Sequence, residues 1–110
     1  MKKGGRGELV DHERSGEPGT RTVFRGAKMA ETKLSNVNAG SADFTDADLT
    51  GVNVADSDFS GVTFEGANLT DADFAGTNLS NADLRNSVMA GVNLTAAELH
   101  GTNLRGVMTE

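Results

Sequence analysis

The chain contains no cysteine, tryptophan, tyrosine or isoleucine, and only one proline. Without cysteine there is no disulfide, no thiol nucleophile and no cysteine-ligated zinc or iron–sulfur site. Large apolar residues are scarce too. Leu, Val, Phe and Ile make up 23 of 110 residues, close to the roughly 20% below which charged chains tend to stay unfolded. That length leaves room for one domain. No apolar run approaches a membrane span, and Met1-Lys2-Lys3 continues into Gly-Gly-Arg-Gly rather than the apolar stretch of a signal peptide. A cytoplasmic location without membrane contact is therefore expected. Basic residues are outnumbered, 10 Lys/Arg against 16 Asp/Glu, which disfavours direct nucleic-acid binding. His12 and His100 lie too far apart in sequence to form a local metal or catalytic motif, and no cofactor is expected.

What the chain does have is order. From Phe24, every fifth residue to Leu104 is apolar, 17 positions in all, where 36% of residues are apolar overall. Chance would give roughly 10⁻⁸ for this phase. Two residues before each of these stands only Ala, Val, Ser or Thr, as at Ala42, Val52 and Thr77. Between the two stands Asp or Asn at 11 places, among them Asp43, Asn53 and Asn103. The last residue of each unit is Gly, Asn or Asp in 14 of 17 cases, the types that accept positive φ or close a turn with their own side chain. Neither helical nor plain strand periodicity produces a period of five. Three extended residues, pointing in, out and in, followed by a two-residue corner do produce it. Repeated in register, such units coil into a solenoid.

Units such as Ala42-Asp43-Phe44-Thr45-Asp46, Ala67-Asn68-Leu69-Thr70-Asp71 and Ala82-Asp83-Leu84-Arg85-Asn86 resemble the pentapeptide-repeat proteins, whose motif is Ala-(Asp/Asn)-Leu-X-X. The resemblance covers residues 22–106. It implies an all-β fold, a right-handed quadrilateral parallel β-helix with 20 residues per coil, hence about four coils. At a strand spacing of roughly 4.8 Å such a rod is about 20 Å long. Residues 20 apart should then stack inside it: Phe24, Phe44, Phe64, Leu84 and Leu104 on one face, and Met29, Leu49, Leu69 and Met89 on the next. Residues 1–21 lie outside the repeat and are expected to form a flexible or loosely docked tail, or a cap in which Leu9 and Val10 cover the first coil. Residues 107–110 form the C-terminal end.

Two features are candidates for function. Between Lys33 and Arg85 there are nine acids and no base. Asp43, Asp46, Asp48, Asp56, Asp58, Asp71 and Asp73 make up the candidate acidic face, with Glu65 and Asp83 nearby. The resemblance implies one use for it, imitation of duplex DNA in binding a type II topoisomerase such as gyrase. Local geometry offers another account, because eight of the nine acids occupy the Asp/Asn or the corner position of the repeat. Arg25, Arg85 and Arg105 share one expected column with Thr45 and Glu65, which breaks a uniformly negative face.

The second feature is the C-terminal end. Val88 and Met108 occupy outward positions where the repeat has Asp or Asn, beside Ala90, and Thr109 breaks the inward pattern. An apolar strip on an open edge marks an interface or a frayed last coil. Catalysis has little support, since the acids face water, where carboxylates keep ordinary pKa values, and a filled rod has no pocket. The reading that follows is a non-catalytic interaction module, with a protein partner or a second copy bound through the C-terminal end. The DNA mimic is the alternative.

Overall fold

The computed structural model describes residues 22–110, together with the backbone of a short antiparallel pair, β1 (Lys3–Gly4) and β2 (Glu8–Leu9). The tail-or-cap expectation for residues 1–21 otherwise lies outside the described residues. Among these, no helix is long and apolar enough to cross a membrane.

From Thr22 onward each unit has three extended residues and a two-residue turn. The middle extended residue forms a parallel bridge with the residue 20 positions on, from Val23–Asp43 to Val88–Met108. One coil therefore takes four units, and four columns of bridges define four sides. The first side carries Val23, Asp43, Thr63, Asp83 and Asn103, and the second Lys28, Asp48, Asn68, Val88 and Met108. The third carries Lys33, Asn53, Asp73 and Asn93, and the fourth Asn38, Asp58, Asn78 and Glu98. Each middle residue directs both backbone groups to the preceding coil. Asp43 N–H donates to the Thr22 carbonyl at 2.9 Å, and the Asp43 carbonyl accepts from Phe24 N–H at 2.6 Å.

All 17 corner residues have φ between 58° and 74°, including Glu31, Ser41 and Ala96. Positive φ at the third residue of a four-residue turn is the signature of type II, usually closed by a backbone bond such as Ala47 N–H to the Phe44 carbonyl at 3.0 Å. For Glu31, Ser41 and Ala96 the left-handed conformation costs about 1–2 kcal/mol each. The stacked coils impose it.

The corner columns carry a second regularity. Positions 26, 46, 66, 86 and 106 read Gly-Asp-Gly-Asn-Gly, and positions 41, 61, 81 and 101 read Ser-Gly-Asn-Gly. A β-carbon built on Gly66 would overlap the Asp46 carboxylate, and one built on Gly106 would overlap the Asn86 amide. A side chain at one corner thus occupies the space of the next coil's β-carbon, so residues with side chains alternate with Gly. The column of Asn36, Asp56, Gly76 and Ala96 breaks the rule. There, at 34–37, the direct turn bond is absent: the Ser57 hydroxyl instead accepts from Val37 N–H and donates to the Leu34 carbonyl, both at 3.0 Å. At 54–57 the Thr77 hydroxyl takes the Val54 carbonyl at 2.9 Å. Two successive side chains in one corner column coincide with two opened turns, and buried hydroxyls one coil on take up both groups freed at 34–37 and the carbonyl freed at 54–57.

Inside the rod, Phe24, Phe44 and Phe64 stack at centroid distances of 4.8 and 5.5 Å, as the ladder predicts. Phe59 and Phe74, from the fourth and third sides, reach across and join them, with Phe59–Phe64 at 5.8 Å and Phe64–Phe74 edge-on at 5.8 Å. One aromatic cluster fills the middle of the core. The two ends differ. In the first coil Phe24, Met29 and Leu34 are buried, whereas in the last Leu99 is 38% and Leu104 47% exposed.

Candidate functional site

The Asp/Asn position has a local job. At each of the 11 places the side-chain Oδ1 accepts a hydrogen bond from the N–H two residues on, as from Thr50 N–H to Asp48 at 3.1 Å and Arg105 N–H to Asn103 at 3.1 Å. That N–H enters no ladder between coils, so the Asx turn satisfies it. Where Thr or Ser follows, its hydroxyl donates to the same oxygen, as Thr45 does to Asp43 at 2.6 Å.

The seven carboxylates of the candidate acidic face do not share a face. Asp43, Asp48, Asp73 and Asp58 stand on the first, second, third and fourth sides. Asp46, Asp71 and Asp56 stand at three different corners. Five of the seven belong to the coil of residues 42–61 and encircle it as a belt. Three acids of the region are engaged by arginine. Asp43, 4% exposed, is held by Arg25 Nε at 2.9 Å. Burial works to raise the Asp43 pKa, but the Thr45 hydroxyl, Arg25 and Thr45 N–H outweigh it and hold the carboxyl well below the usual carboxylate range. Arg85 grips Asp83 through Nε and a second guanidinium nitrogen, the latter at 2.7 Å, and reaches Glu65 at 3.5 Å. That bond, against a smaller opposing effect of burial, lowers the Asp83 pKa. Among the described residues no three His, Asp or Glu side chains converge on a metal-sized site.

At the C-terminal end Val88 and Met108 stack as a bridged pair on the second side, with Val88 and Ala90 half-buried and Met108 49% exposed. Valine offers Ala90 N–H no Asx acceptor. The larger opening lies on the end itself. Met89, Val92, Leu94, Leu104, Val107 and Thr109 line a recess of about 420 Å³ against the coil of residues 91–110. Sequence reasoning singled out the side strip and treated Leu94, Leu99 and Leu104 as core. The signal it passed over is positional: inward residues of a terminal coil are covered on one side only.

The model for pentapeptide repeats (8 copies) matches residues 27–66 and, a second time, residues 67–106. The chain belongs to the pentapeptide-repeat family. The family's right-handed quadrilateral β-helix is accordingly its fold, and pentapeptide-repeat proteins are in general structural rather than catalytic. Three solved structures agree in architecture. A pentapeptide-repeat protein of the Arabidopsis thaliana thylakoid lumen is 24% identical, with a TM-score of 0.64, over 78% of this chain and 57% of its own. One from Nostoc PCC 7120 is 25% identical, with a TM-score of 0.63, over 83% of both chains. HetL, involved in heterocyst differentiation regulation in Nostoc sp. strain PCC 7120, is 24% identical, with a TM-score of 0.55, over 82% of this chain and 48% of its own. The chain thus spans little more than half the length of the Arabidopsis protein and about half that of HetL. Among curated proteins its sequence finds no significant match.

Proposed function

We propose that this pentapeptide-repeat chain is a non-catalytic assembly module, a rigid rod that joins a protein partner or a second copy through its C-terminal end. The observation that carries the reading is the open end of the core, where Leu99, Leu104 and Met108 are exposed beside the apolar recess. Exposed apolar surface concentrated at one place is what a protein interface uses. The topoisomerase alternative needs a continuous acidic face. Carboxylates spread over four sides and three corners, with Arg25 and Arg85 among them, support the assembly reading over that alternative.

Light scattering at low and high salt tests the reading. Association through an apolar end should persist in salt, whereas an acidic surface would lose its partner steeply. Leu99→Asp with Leu104→Asp should return an associated chain to its 11.4 kDa monomer. Val88→Asp with Met108→Asp measures how far the side strip contributes. Association untouched by either pair would place the interface elsewhere.

A further inference from the structure

The corners of the rod carry information that its core does not. From coil to coil the inward residues are near equivalents, with Phe44, Phe64 and Leu84 in one column and Leu49, Leu69 and Met89 in another. The backbone ladder is the same at every level, as in Asp43 N–H to the Thr22 carbonyl and Asp83 N–H to the Val62 carbonyl, both at 2.9 Å. By core and ladder alone, a coil could stack on the coil after next about as well as on its neighbour. Interchangeable strands of this kind leave register weakly specified.

The corners remove that freedom. Wherever a side chain crowds a corner Gly, it belongs to the coil before: Glu31 lies against Gly51, Asp46 against Gly66, Asp71 against Gly91 and Asn81 against Gly101. Corner side chains therefore lean forward, and each needs Gly 20 residues on. The coil of residues 42–61 carries them at Asp46 and Asp56, on opposite corners, with Gly51 and Gly61 at the other two. In the coil of 62–81 the pattern is reversed, with Gly66 and Gly76 on the first pair of corners and Asp71 and Asn81 on the second. The coil of 82–101 returns to the first arrangement, with Asn86 and Ala96. Coils of two kinds alternate along the rod.

We propose that this alternation is a stacking code. A coil accepts above it only a coil of the other kind, so the rod holds one register and changes length in steps of two coils, 40 residues. Passing over the coil of 62–81 would set Asp46 under Asn86 and Asp56 under Ala96. Passing over that of 42–61 would set Glu31 under Asp71 and Ser41 under Asn81. Either slip brings side chains together at two opposite corners. Passing over both coils restores the fit, with Gly91 above Glu31 and Gly101 above Ser41.

The one exception shows what a breach requires. Asn36 lies under Asp56, and there the turns at 34–37 and 54–57 are both open. The Ser57 hydroxyl accepts from Val37 N–H and donates to the Leu34 carbonyl, and the Thr77 hydroxyl donates to the Val54 carbonyl. A breach is tolerated where the inward residue after the upper corner carries a hydroxyl. After Asp71 and Asn81 the inward residues are Ala72 and Ala82, which offer none.

Duplicating residues 62–81 within the full-length chain tests the code. The duplication stacks one kind of coil on itself, with Asp71 under the second Asp71 and Asn81 under the second Asn81. A matched chain has the same duplication with Asp71→Gly and Asn81→Gly in the first copy only, so the two share length and core. The uncorrected duplication should melt about 10 °C or more below the corrected one. The same two substitutions without duplication should move the melting temperature by no more than about 3 °C. Duplicating 62–101 keeps the alternation and should need no correction. Equal melting of the corrected and uncorrected chains would overturn the code. Should neither duplicated chain fold, a single-site comparison decides. Gly26→Asp sets a leaning side chain under Asp46 and should melt below Gly26→Ala, although Asp accepts positive φ more readily than Ala. Adding Asp46→Gly should abolish that difference. Gly26→Asp melting at or above Gly26→Ala would also overturn the code.

Discussion

The carboxylate of Asp46 occupies the place a β-carbon at position 66 would take, and so Gly66 can be nothing larger without displacing it. The same relation joins Asp71 to Gly91 and Asn81 to Gly101. A repeat of five residues thereby carries a slower alternation of 40, written only in the corners.

Gly66→Ala should accordingly be far more damaging than Gly26→Ala. At Gly26 nothing lies within 4 Å of an added β-carbon, so only the left-handed backbone matters, about 1–2 kcal/mol. At Gly66 the overlap adds to that, for a total of about 3 kcal/mol or more. Urea unfolding measures both, and Asp46→Gly should recover part of the Gly66→Ala loss.

The opened turn at 34–37 makes Ser57 a structural hydroxyl. Ser57→Ala leaves Val37 N–H without its acceptor in a buried place, which costs about 1–3 kcal/mol. Ser87→Ala should cost less, because its turn keeps the bond from Ser87 N–H to the Leu84 carbonyl at 3.2 Å. Asn36→Gly, by restoring the alternation, should let the 34–37 turn close and make Ser57→Ala milder. A double-mutant cycle reads that coupling.

Asp43 should govern part of the acid sensitivity. Its carboxyl is held below the ordinary range in the folded chain, so its stabilisation is complete above the unfolded value, about 3.9, and disappears as pH falls through the lower folded value. Asp43→Asn keeps an oxygen for Thr45 N–H but loses the ionic bonds. It should cost about 1–2 kcal/mol at neutral pH. Melting curves from pH 7 downward should show wild type and variant converging below about pH 4. A constant gap would mean that Asp43 contributes by shape rather than charge.

Val88 departs from the Asp/Asn rule, and Ala90 N–H lacks the side-chain acceptor it would otherwise have. Val88→Asn should supply it and raise stability by about 0.5–1.5 kcal/mol, seen as a higher melting temperature of the monomer. If melting falls instead, the valine side chain contributes more by packing beside Met108 than an Asx turn would return.

The period of five, the inward columns, the turn positions and the family were all legible in the order of residues. Each unit repeats the same local problem, in which a small and a large residue point inward, an Asx residue caps a free N–H and a corner accepts positive φ. Local rules left the corner types of Glu31, Ser41 and Ala96 unexplained, because the ladder above and below imposes that conformation. They also could not say whether Asp43, Asp48, Asp58 and Asp73 gather or scatter, since neighbouring units face different sides. Phe59 and Phe74 joining the Phe24 column, Gly66 yielding to Asp46 and Leu104 standing open at the end depend on what lies across the core or one coil away. The repeat unit set the path of the chain. Packing between coils decided which side chains meet, because contacts 20 residues apart exist only once the coils are stacked.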